Sequence, residues 1–538
     1  MKKNLLTLFL LVAFVFQSSA LAQTATKPNS PARKAAQTIT AEQLKDYLYF
    51  VASDEMEGRD TPSRGLDLTA KFLALNLKRW GFKPAGDNGT YMQTIALTRD
   101  TVNADANALE IAGQSYKFGE DFLRIGGDQS ANAPLVFAGD GWFVKSKNID
   151  ALAGVDARGK IIVLYTEGFN RNTLTPFPKG VLPADLAGVR GTDWADPMTY
   201  AKQKGAVGII LIGSPQIQQN WQQAQNFLAR GGLYPEKLRE NGTGNILPTI
   251  IVSQKAAETA FAGLNMTSAS EIGKTAKLTA AGKKEIVNTQ NVVALWEGSD
   301  PTLKNEMVAI GAHYDHVGVR PNAAGEDKIW NGADDDGSGT VAVLAIAEAL
   351  AKAPKRPKRS ILLVWHAGEE KGLWGSEYFN KYPTVNIKNV VAQLNIDMIG
   401  RSRKADDANP KNKDLSGEQE IYVIGSEMMS SKLGAVTRAT NDSFLKLNYD
   451  YRYDDPKDTN RFFFRSDHFH YALNGIPIVF WFDGVHEDYH GADDEPEKID
   501  YAKMERIART IFLTMWEIAD LKERPAVDKQ LPPELTRR

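Results

Sequence analysis

Three short apolar runs in the second half of the chain each lead into acidic or histidine residues. The runs cover residues 307–312, 361–365 and 391–396. The polar residues that follow them are His313, the pair Glu369 and Glu370, and Asp397. Apolar runs of this length are typical of buried strands in a parallel sheet. Because ligands bind beyond the carboxyl ends of such strands, these polar residues are candidates for one site.

Helix-like segments alternate with the strand-like runs from about residue 285 onwards. They lie at residues 338–351, 372–380 and 501–521. This alternation predicts an α/β fold with a mostly parallel central sheet and helices on both faces. A chain of 538 residues also exceeds one ordinary core, so we expect at least two structural units.

The N-terminus predicts an exported protein. Two lysines precede an apolar run at residues 5–16, and small residues follow, as in a secretory signal peptide that spans residues 1–22. The run is too short for a permanent membrane helix, so we expect a periplasmic or extracellular protein without stable membrane insertion after cleavage. Residues 23–37 are rich in Ala, Thr, Pro and Ser and predict a flexible leader.

The remaining chain is predicted to form a catalytic domain in two parts, residues 38–132 and 274–525, followed by a tail at 526–538. Helices are expected after Thr40 and over residues 67–80. Residues 133–273 contain short strand-like runs without clustered acids, which predicts a smaller β-rich insert. The strings GKI at 159–161, KGA at 204–206 and PTI at 248–250 resemble the protease-associated domain.

Charge and cysteine content exclude several classes of protein and site. The chain has 66 acidic and 64 basic residues, so no long-range field favours nucleic acid or an anionic membrane. It has no cysteine, which excludes disulfides and thiolate metal ligands. Any bound metal must therefore be held by His, Asp and Glu, a ligand set that suits zinc, with manganese or cobalt possible.

All seven histidines lie between His313 and His490, which favours a site over scattered surface use. His313 and His490 are the candidate ligands. The other five are expected to be structural or to lie behind the ligands: His316, His366, His468, His470 and His486. Asp315, two residues after His313, can orient the imidazole through its second ring nitrogen.

Two acidic motifs complete the candidate site. The loop at residues 331–339 carries three consecutive aspartates before an alanine-rich helix, and one of them is expected to bridge two metal ions. Glu369 and Glu370 are adjacent in an irregular turn and therefore point in different directions. One can bind metal while the other accepts a proton.

Five motifs in order resemble those of the clan MH di-zinc aminopeptidases. They are GAHYD at 311–315, GADDDGSG at 332–339, AGEEKGLWGS at 367–376, NIDMIG at 395–400 and YH at 489–490. The strings EGR at 57–59 and GD at 86–87 also resemble the start of that family's chain. The resemblance implies a secreted exopeptidase that acts on peptides with two Zn²⁺ ions per chain.

The resemblance also implies a role for each matched residue. His313 and Asp397 would hold one zinc, Glu370 and His490 the other. Asp335 would bridge the two ions, because the family's ligand precedes Ser-Gly by two intervening residues. Glu369 becomes the general base, and Tyr489 would stabilise the oxyanion. The chain departs from the family after His490, where it has Gly491-Ala492 in place of Ser or Thr and then Pro.

The sequence does not determine whether the enzyme binds the N-terminal ammonium or the C-terminal carboxylate of its substrate. Candidate groups for an N-terminal ammonium are Asp336, Asp467 and Asp494, and those for a C-terminal carboxylate are Arg461 and Arg465. The alternatives to an aminopeptidase are therefore a carboxypeptidase-like member of the same fold, a single-zinc glutaminyl cyclase, or a receptor-like binding protein. A receptor-like protein of this fold would have lost its metal ligands, whereas this chain has a suitable residue at every ligand position.

Overall fold

The computed structural model describes residues 30–167, 174–186, 188–238, 246–263 and 268–532. The chain divides into two compact units, one of residues 1–96 and 288–538 and the other of residues 97–287. The predicted signal peptide at 1–22 lies outside the described residues. Within the described part of the chain, no helix is long and apolar enough to cross a membrane.

A mixed sheet forms the centre of the first unit. Its main strands are β1 (Met92–Val102), β2 (Gly282–Trp296), β3 (Met307–His313), β4 (Ser360–His366), β5 (Val390–Ile396), β6 (Glu420–Ile424), β7 (Asn448–Asp450) and β8 (Ile478–Phe482). Their order is β1-β2-β4-β3-β5-β8-β6-β7. Parts of β1 and β2, residues 97–102 and 282–287, belong to the second unit. The central strands β4, β3, β5 and β8 are parallel, while β2 and β6 join them antiparallel. The predicted parallel arrangement therefore holds for the centre of the sheet.

Helices cover both faces of this sheet. They are α1 (Pro31–Ala36), α2 (Ala41–Val51), α3 (Arg64–Arg79), α4 (Gly339–Lys352), α5 (Trp374–Lys381), α6 (Ser431–Ser443), α7 (His468–Leu473) and α8 (Tyr501–Asp520). Along β3, Val308 and Ile310 pack into the core under α4 and α8, and Ala309 packs into a second core with Phe379 of α5 and Phe469 of α7. Successive side chains of a strand point to opposite faces, so both faces of β3 are buried.

The N-terminal helices begin where local capping allows. The hydroxyl of Thr40 accepts a hydrogen bond from the backbone N–H of Gln43 at 3.2 Å, and the Gln43 side chain accepts one from Thr40 at 3.4 Å, which forms a capping box. This matches the helix start predicted after Thr40. Residues 31–36 fall within the predicted flexible leader, but the structure shows them as ordered. They form helix α1, because Ser30 caps it and its alanines are buried.

The second unit is built on an eight-stranded sheet. Its strands are Ala108–Ile111, Gln114–Tyr116, Phe122–Gly126, Gln129–Phe137, Ile161–Thr166, Gly208–Gly213, Thr249–Val252 and Ser270–Ala280. Helices Pro197–Gln203, Pro215–Gln219, Trp221–Ala229 and Gln254–Ala260 accompany them. The unit is wider than the predicted insert at 133–273. Residue 133 lies inside a strand, and Phe122–Gly126 pairs with Thr249–Val252 in the same sheet.

The end of the described chain is attached to the first unit. The carboxylate of Asp528 accepts a hydrogen bond from the backbone N–H of Ser431 at 2.9 Å, and the N–H groups of Asp528 and Lys529 donate to the carbonyl of Met429. Part of the predicted tail at 526–538 is thus tied to the N-terminus of α6.

Candidate metal centre

The parallel strands deliver the predicted residues to one edge of the sheet. In β3 and β4, His313 stands directly beside His366, and Gly311 of β3 stands beside Asn395 of β5. The three strands therefore end close together, and the loops that follow carry Glu369, Glu370 and Asp397. This is the edge at which ligands bind in open α/β sheets.

Asp335 lies between two histidines. Its Oδ1 is 3.3 Å from Nε2 of His313, and its Oδ2 is 3.0 Å from Nε2 of His490. The Asp335 side chain is buried. One carboxylate thus faces two separate groups of potential ligands, which is the arrangement that a bridge between two cations requires.

The first group contains His313, Asp397 and Asp336, and Oδ1 of Asp335 reaches His313 from the side. Nε2 of His313 lies 3.7 Å from Oδ1 of Asp397. Nδ1 of the same ring lies 3.1 Å from the backbone oxygen of Asp315, which fixes Nδ1 as the protonated nitrogen and leaves Nε2 free to bind a metal. Glu369 stands slightly apart, with Oε2 3.9 Å from Nε2 of His313.

The second group contains Asp335, Glu370, His490 and also His316. Oε1 of Glu370 lies 3.0 Å from Nε2 of His490 and 3.0 Å from Nδ1 of His316. Nδ1 of His316 is 3.7 Å from Oδ2 of Asp335. The sequence predicted that His316 is not a ligand, but the structure places it among the ligand atoms. The available signal was its position three residues after His313, in the loop that follows β3.

Several buried polar atoms at this point lie close to one another but form no hydrogen bond of suitable geometry with any described residue. They are Oδ2 of Asp335, Oε1 of Glu370, Nε2 of His490 and both ring nitrogens of His316. Buried polar atoms are costly unless they are paired or bind a cation. Histidine nitrogens combined with carboxylate oxygens are ligands that zinc accepts, so the residues fit a zinc centre. Among the described residues, both ligand groups come from the first unit.

Comparisons with known proteins identify the segment that carries these residues. Residues 291–515 match the family model described as Peptidase family M28. The chain is 28% identical over 227 residues to a probable leucine aminopeptidase of Trichophyton verrucosum, covering 41% of this chain and 56% of that protein. It is 27% identical over 329 residues to probable leucine aminopeptidase 2 of Aspergillus oryzae, covering 59% and 60%. The chain therefore spans less than two thirds of the length of these relatives.

Residues 291–515, called the M28 domain below, are thus similar to peptidase family M28. The family resemblance inferred from the five motifs is thereby confirmed, and all eight predicted site residues lie inside this M28 domain. Among solved structures, the aminopeptidase from Aneurinibacillus sp. strain AM-1 aligns with 93% of this chain and 98% of its own, at 16% identity and a TM-score of 0.49.

The three consecutive aspartates of the M28 domain differ in what they contact. Asp336 Oδ1 accepts hydrogen bonds from the backbone N–H groups of Gly339 at 2.9 Å and Met398 at 3.1 Å, and its Oδ2 accepts one from His313 at 3.2 Å. Burial raises the pKa of Asp336 well above its ordinary value. Asp336 therefore ties together the end of β3, the start of α4 and the loop after β5, while Asp335 alone of the three lies between the two histidines.

The candidate acids for a substrate ammonium are engaged elsewhere. Asp494 accepts hydrogen bonds from the backbone N–H groups of Asp334 and Asp335, each at 3.1 Å. Asp467 is fully buried, 3.4 Å from Nδ1 of His366. Like Asp336, both hold protein groups and do not line the cavity at the metal centre.

The cavity at the centre combines ligands, apolar side chains and one cation. It is lined by His313, Asp335, Glu369, Asp397, Met398, Phe462, Arg465, Phe480, Phe482, Val485 and Tyr489. Arg465 is exposed, and its guanidinium lies 5.0 Å from the centre of the Phe462 ring. Arg461, the other candidate base, lines a separate surface cleft. Of the two arginines, Arg465 is therefore the one that can meet a substrate at the centre.

The electrostatics separate the two adjacent glutamates. Burial, together with Glu370 and Asp397, raises the pKa of Glu369 well above its ordinary value, against the opposing effect of His313. Burial also raises the pKa of Glu370, but His316 and His490 outweigh it, so the pKa of Glu370 is lowered. A carboxylate with a raised pKa accepts a proton more readily than its neighbour, so Glu369 suits proton transfer and Glu370 suits ligation.

The other four histidines of the M28 domain lie outside both ligand groups. His366 Nε2 is 3.1 Å from the hydroxyl of Tyr471, and His468 Nε2 donates to the carbonyl of Phe463 at 2.9 Å. His470 Nδ1 is 3.0 Å from Ser376 Oγ, and His486 Nε2 is 3.4 Å from Asp334 Oδ2. Each of them therefore contacts protein groups, as the sequence predicted.

Proposed function

We propose that this chain is an exported zinc aminopeptidase that hydrolyses the N-terminal peptide bond of peptides with two zinc ions. The observation that carries the proposal is the buried carboxylate of Asp335, which faces His313 with one oxygen and His490 with the other. The match of residues 291–515 to peptidase family M28 and the names of the curated relatives support it.

Two sets of side chains would hold the ions. His313 and Asp397 with Asp335 form one set, and Glu370 and His490 with Asp335 form the other. When bound, two zinc ions would lower the pKa of a water molecule and polarise the scissile carbonyl. Because Asp335 faces one set of ligands on each side, a two-zinc aminopeptidase is favoured over a single-zinc glutaminyl cyclase.

Glu369 is the proposed general base. Its Oε2 is 3.9 Å from Nε2 of His313, so it borders the ligand group without belonging to the closest contacts. It accepts the proton of the attacking water and returns it to the leaving amine, so one carboxyl group acts in both directions. Its raised pKa suits this double use.

Tyr489 and Asp315 act beside the reacting atoms. Tyr489 lines the cavity, and burial together with Asp335 and Glu370 raises the pKa of its phenol far above the ordinary value. The hydroxyl therefore stays protonated and can donate a hydrogen bond to the carbonyl oxygen as it becomes negative. Asp315 orients His313 from the side opposite the ligand atoms.

A carboxypeptidase-like activity is the second candidate, because Arg465 lines the cavity while the three candidate acids do not. Three substrates separate the two activities: leucine p-nitroanilide, its N-acetyl derivative, and an N-acetylated dipeptide with a free carboxylate. An aminopeptidase cleaves only the first, and a carboxypeptidase only the last. Chelation should abolish the activity and zinc should restore it, with about two ions per chain. Cyclisation of N-terminal glutamine without hydrolysis would overturn both candidates.

The second unit is proposed to be a protease-associated domain that takes no part in the chemistry. The three strings on which that resemblance rests lie just before or at the start of three neighbouring strands of its sheet, Ile161–Thr166, Gly208–Gly213 and Thr249–Val252. Export through the predicted signal peptide belongs to the same proposal, and cell fractionation of the expressed full chain would test it.

A further inference from the structure

His316 is a buried imidazole with no hydrogen-bond partner. Its side chain is 0% exposed, and neither Nδ1 nor Nε2 has a hydrogen bond from any described residue. The ring is also confined. A Cβ at Gly332 would lie only 2.4 Å from its Cγ, and the backbone N–H of His316 donates to the carbonyl of Arg59 at 3.2 Å. Nε2 of this fixed ring has no hydrogen bond, and Nδ1 faces a carboxylate oxygen of Glu370 without forming a hydrogen bond of suitable geometry. Such a buried imidazole is costly unless one of its nitrogens binds a cation.

The distances around His316 suit a four-coordinate ion. His316 Nδ1 is 3.0 Å from Oε1 of Glu370 and 3.7 Å from Oδ2 of Asp335, and His490 Nε2 is 3.0 Å from each of these two oxygens. Ligand atoms at ordinary zinc distances of about 2.0–2.2 Å, placed tetrahedrally, are about 3.3–3.6 Å from one another. The four atoms therefore already have nearly the spacing of a tetrahedral zinc site.

The other ligand group differs from this one. It consists of His313 and Asp397, and Oδ1 of Asp335 lies 3.3 Å from Nε2 of His313. Asp336 also has an oxygen close to this group, but both of its carboxylate oxygens already accept backbone hydrogen bonds, so Asp335 is taken as the third ligand. Three protein ligands leave one position of a tetrahedral ion open, as catalytic zinc sites require, whereas four ligands close it, as in structural sites. Glu369, the proposed base, lies beside the three-ligand group.

We propose that His316 is a fourth protein ligand of the ion held by Asp335, Glu370 and His490. With four protein ligands that ion would be tightly bound and would leave water and substrate to approach the residues beside His313. The proposal rests on the two-zinc function and adds a division of labour between the ions. His316, Glu370 and His490 would then fix the ion that holds Asp335 in place, and His313 and Asp397 would hold the ion with a position open for water or substrate.

The test is a metal-binding measurement on the full chain. His316→Asn removes the imidazole, and the control His470→Asn alters a histidine outside both ligand groups. Zinc bound per chain is measured at a series of buffered free-zinc concentrations. The wild type and the control should each bind one ion tightly and a second ion more weakly. In His316→Asn the tight ion should lose at least about tenfold in affinity, since even residues behind the ligands contribute 10–100-fold. An unchanged tight site in this variant would overturn the proposal and leave the two-zinc function standing.

A spectrum of the wild type keeps the proposal testable if the variant does not fold. Cobalt(II) is added to metal-free protein in steps. The first equivalent should produce the strong visible absorption of four-coordinate cobalt, because the site with four protein ligands fills first. A weak absorption typical of higher coordination for that equivalent would contradict the proposal. If the wild type binds no zinc at all, the two-zinc function itself fails.

Discussion

The backbone N–H of Glu369 donates a hydrogen bond to Oδ1 of Asp315 at 3.1 Å. The same oxygen lies 3.7 Å from Nδ1 of His313. Asp315 is fully buried, and burial raises its pKa, while His313 opposes the rise. One carboxylate thus holds the loop of the proposed base and stands behind the imidazole of a proposed ligand. The positions of Glu369 and His313 are therefore coupled through Asp315.

Asp315→Asn should lower both zinc affinity and kcat without unfolding the chain. The substitution keeps the size of the side chain but removes the negative charge that supports the imidazole of His313. Because carboxylates behind a metal-bound histidine contribute about 10–100-fold to metal affinity or activity, we expect a loss of that order. Zinc affinity against a competing chelator and kcat are the measurements. If neither changes, Asp315 acts only as a structural acceptor for the N–H of Glu369.

Asp335→Ala should cost both metal ions, because its two oxygens face the two ligand groups. Asp397→Ala is the matched variant. It lies in one group only and should leave the ion beside His490 in place. Metal content measured after gel filtration at low free zinc distinguishes the two variants. Wild-type affinity at either ion in Asp335→Ala would show that this carboxylate does not bridge.

Arg59 connects the loops that carry the ligands. Its guanidinium donates hydrogen bonds to the backbone carbonyl oxygens of Val51 (2.8 Å), Tyr314 (3.0 Å), Asn331 (2.7 Å) and Gly332 (2.9 Å). The side chain is fully buried. The planar guanidinium reaches several acceptors at once, which a single ammonium group cannot do. It therefore holds the turn before Asp315 against the turn before Asp335.

Arg59→Lys should lower the free energy of unfolding by at least about 2 kcal/mol, since buried carbonyl groups lose their donors. Urea unfolding of metal-free protein measures this effect apart from any loss of zinc. The control Arg79→Lys changes an exposed arginine at the end of α3 and should shift stability by less than about 0.5 kcal/mol. Equal stability of the two variants would contradict the role given to Arg59.

The edge of the sheet could be predicted because it depends on local patterns. The apolar runs at 307–312, 361–365 and 391–396 correspond to β3, β4 and β5, and the side chains after each strand meet as expected. Parallel strands place their carboxyl ends at the same edge, so the meeting of these residues follows from the topology alone. The start of α2 was predictable for a similar reason, since the capping box lies within four residues.

The position of His316 could not be predicted in this way. It follows the end of β3 in an irregular loop, where the two-residue alternation of a strand no longer gives side-chain direction. Its place is set by contacts with Gly332 and Arg59, which are distant in sequence. The sequence also did not predict that Asp336 accepts hydrogen bonds from backbone N–H groups. Three adjacent aspartates are equivalent in a sequence and differ only in what each one faces.

The stability of the wild type relative to Asp454→Asn should depend on pH. Asp454 Oδ1 accepts a hydrogen bond from the backbone N–H of Gly425 at 2.7 Å, and burial raises the pKa of Asp454 from 3.8 to about 6. The folded pKa lies above the unfolded value, so the folded state takes up the proton first. Stability from this group is therefore present at low pH and lost as pH rises through about 6.

Urea unfolding of both proteins at pH 8, 7, 6 and 5 tests this sign. The free energy of unfolding of the wild type minus that of Asp454→Asn should increase as the pH falls across this range, because Asn does not titrate. The proposed ligands titrate equally in both proteins, so the difference isolates Asp454. A difference that stays constant or decreases toward pH 5 would mean that burial does not raise this pKa.

The division of labour between the adjacent glutamates predicts opposite behaviour of two variants. Glu369→Gln keeps the size of the side chain and removes the proton acceptor, so zinc content should stay at the wild-type level. Loss of a general base typically costs about 10²–10⁴ in rate, so kcat should fall by at least about a hundredfold. Glu370→Gln removes a charged ligand whose Oε1 lies 3.0 Å from both His316 and His490, and it should lose zinc as well as activity. Zinc content and kcat of the two purified variants are measured side by side. If Glu369→Gln loses zinc while Glu370→Gln keeps both ions and loses only turnover, the two roles must be exchanged.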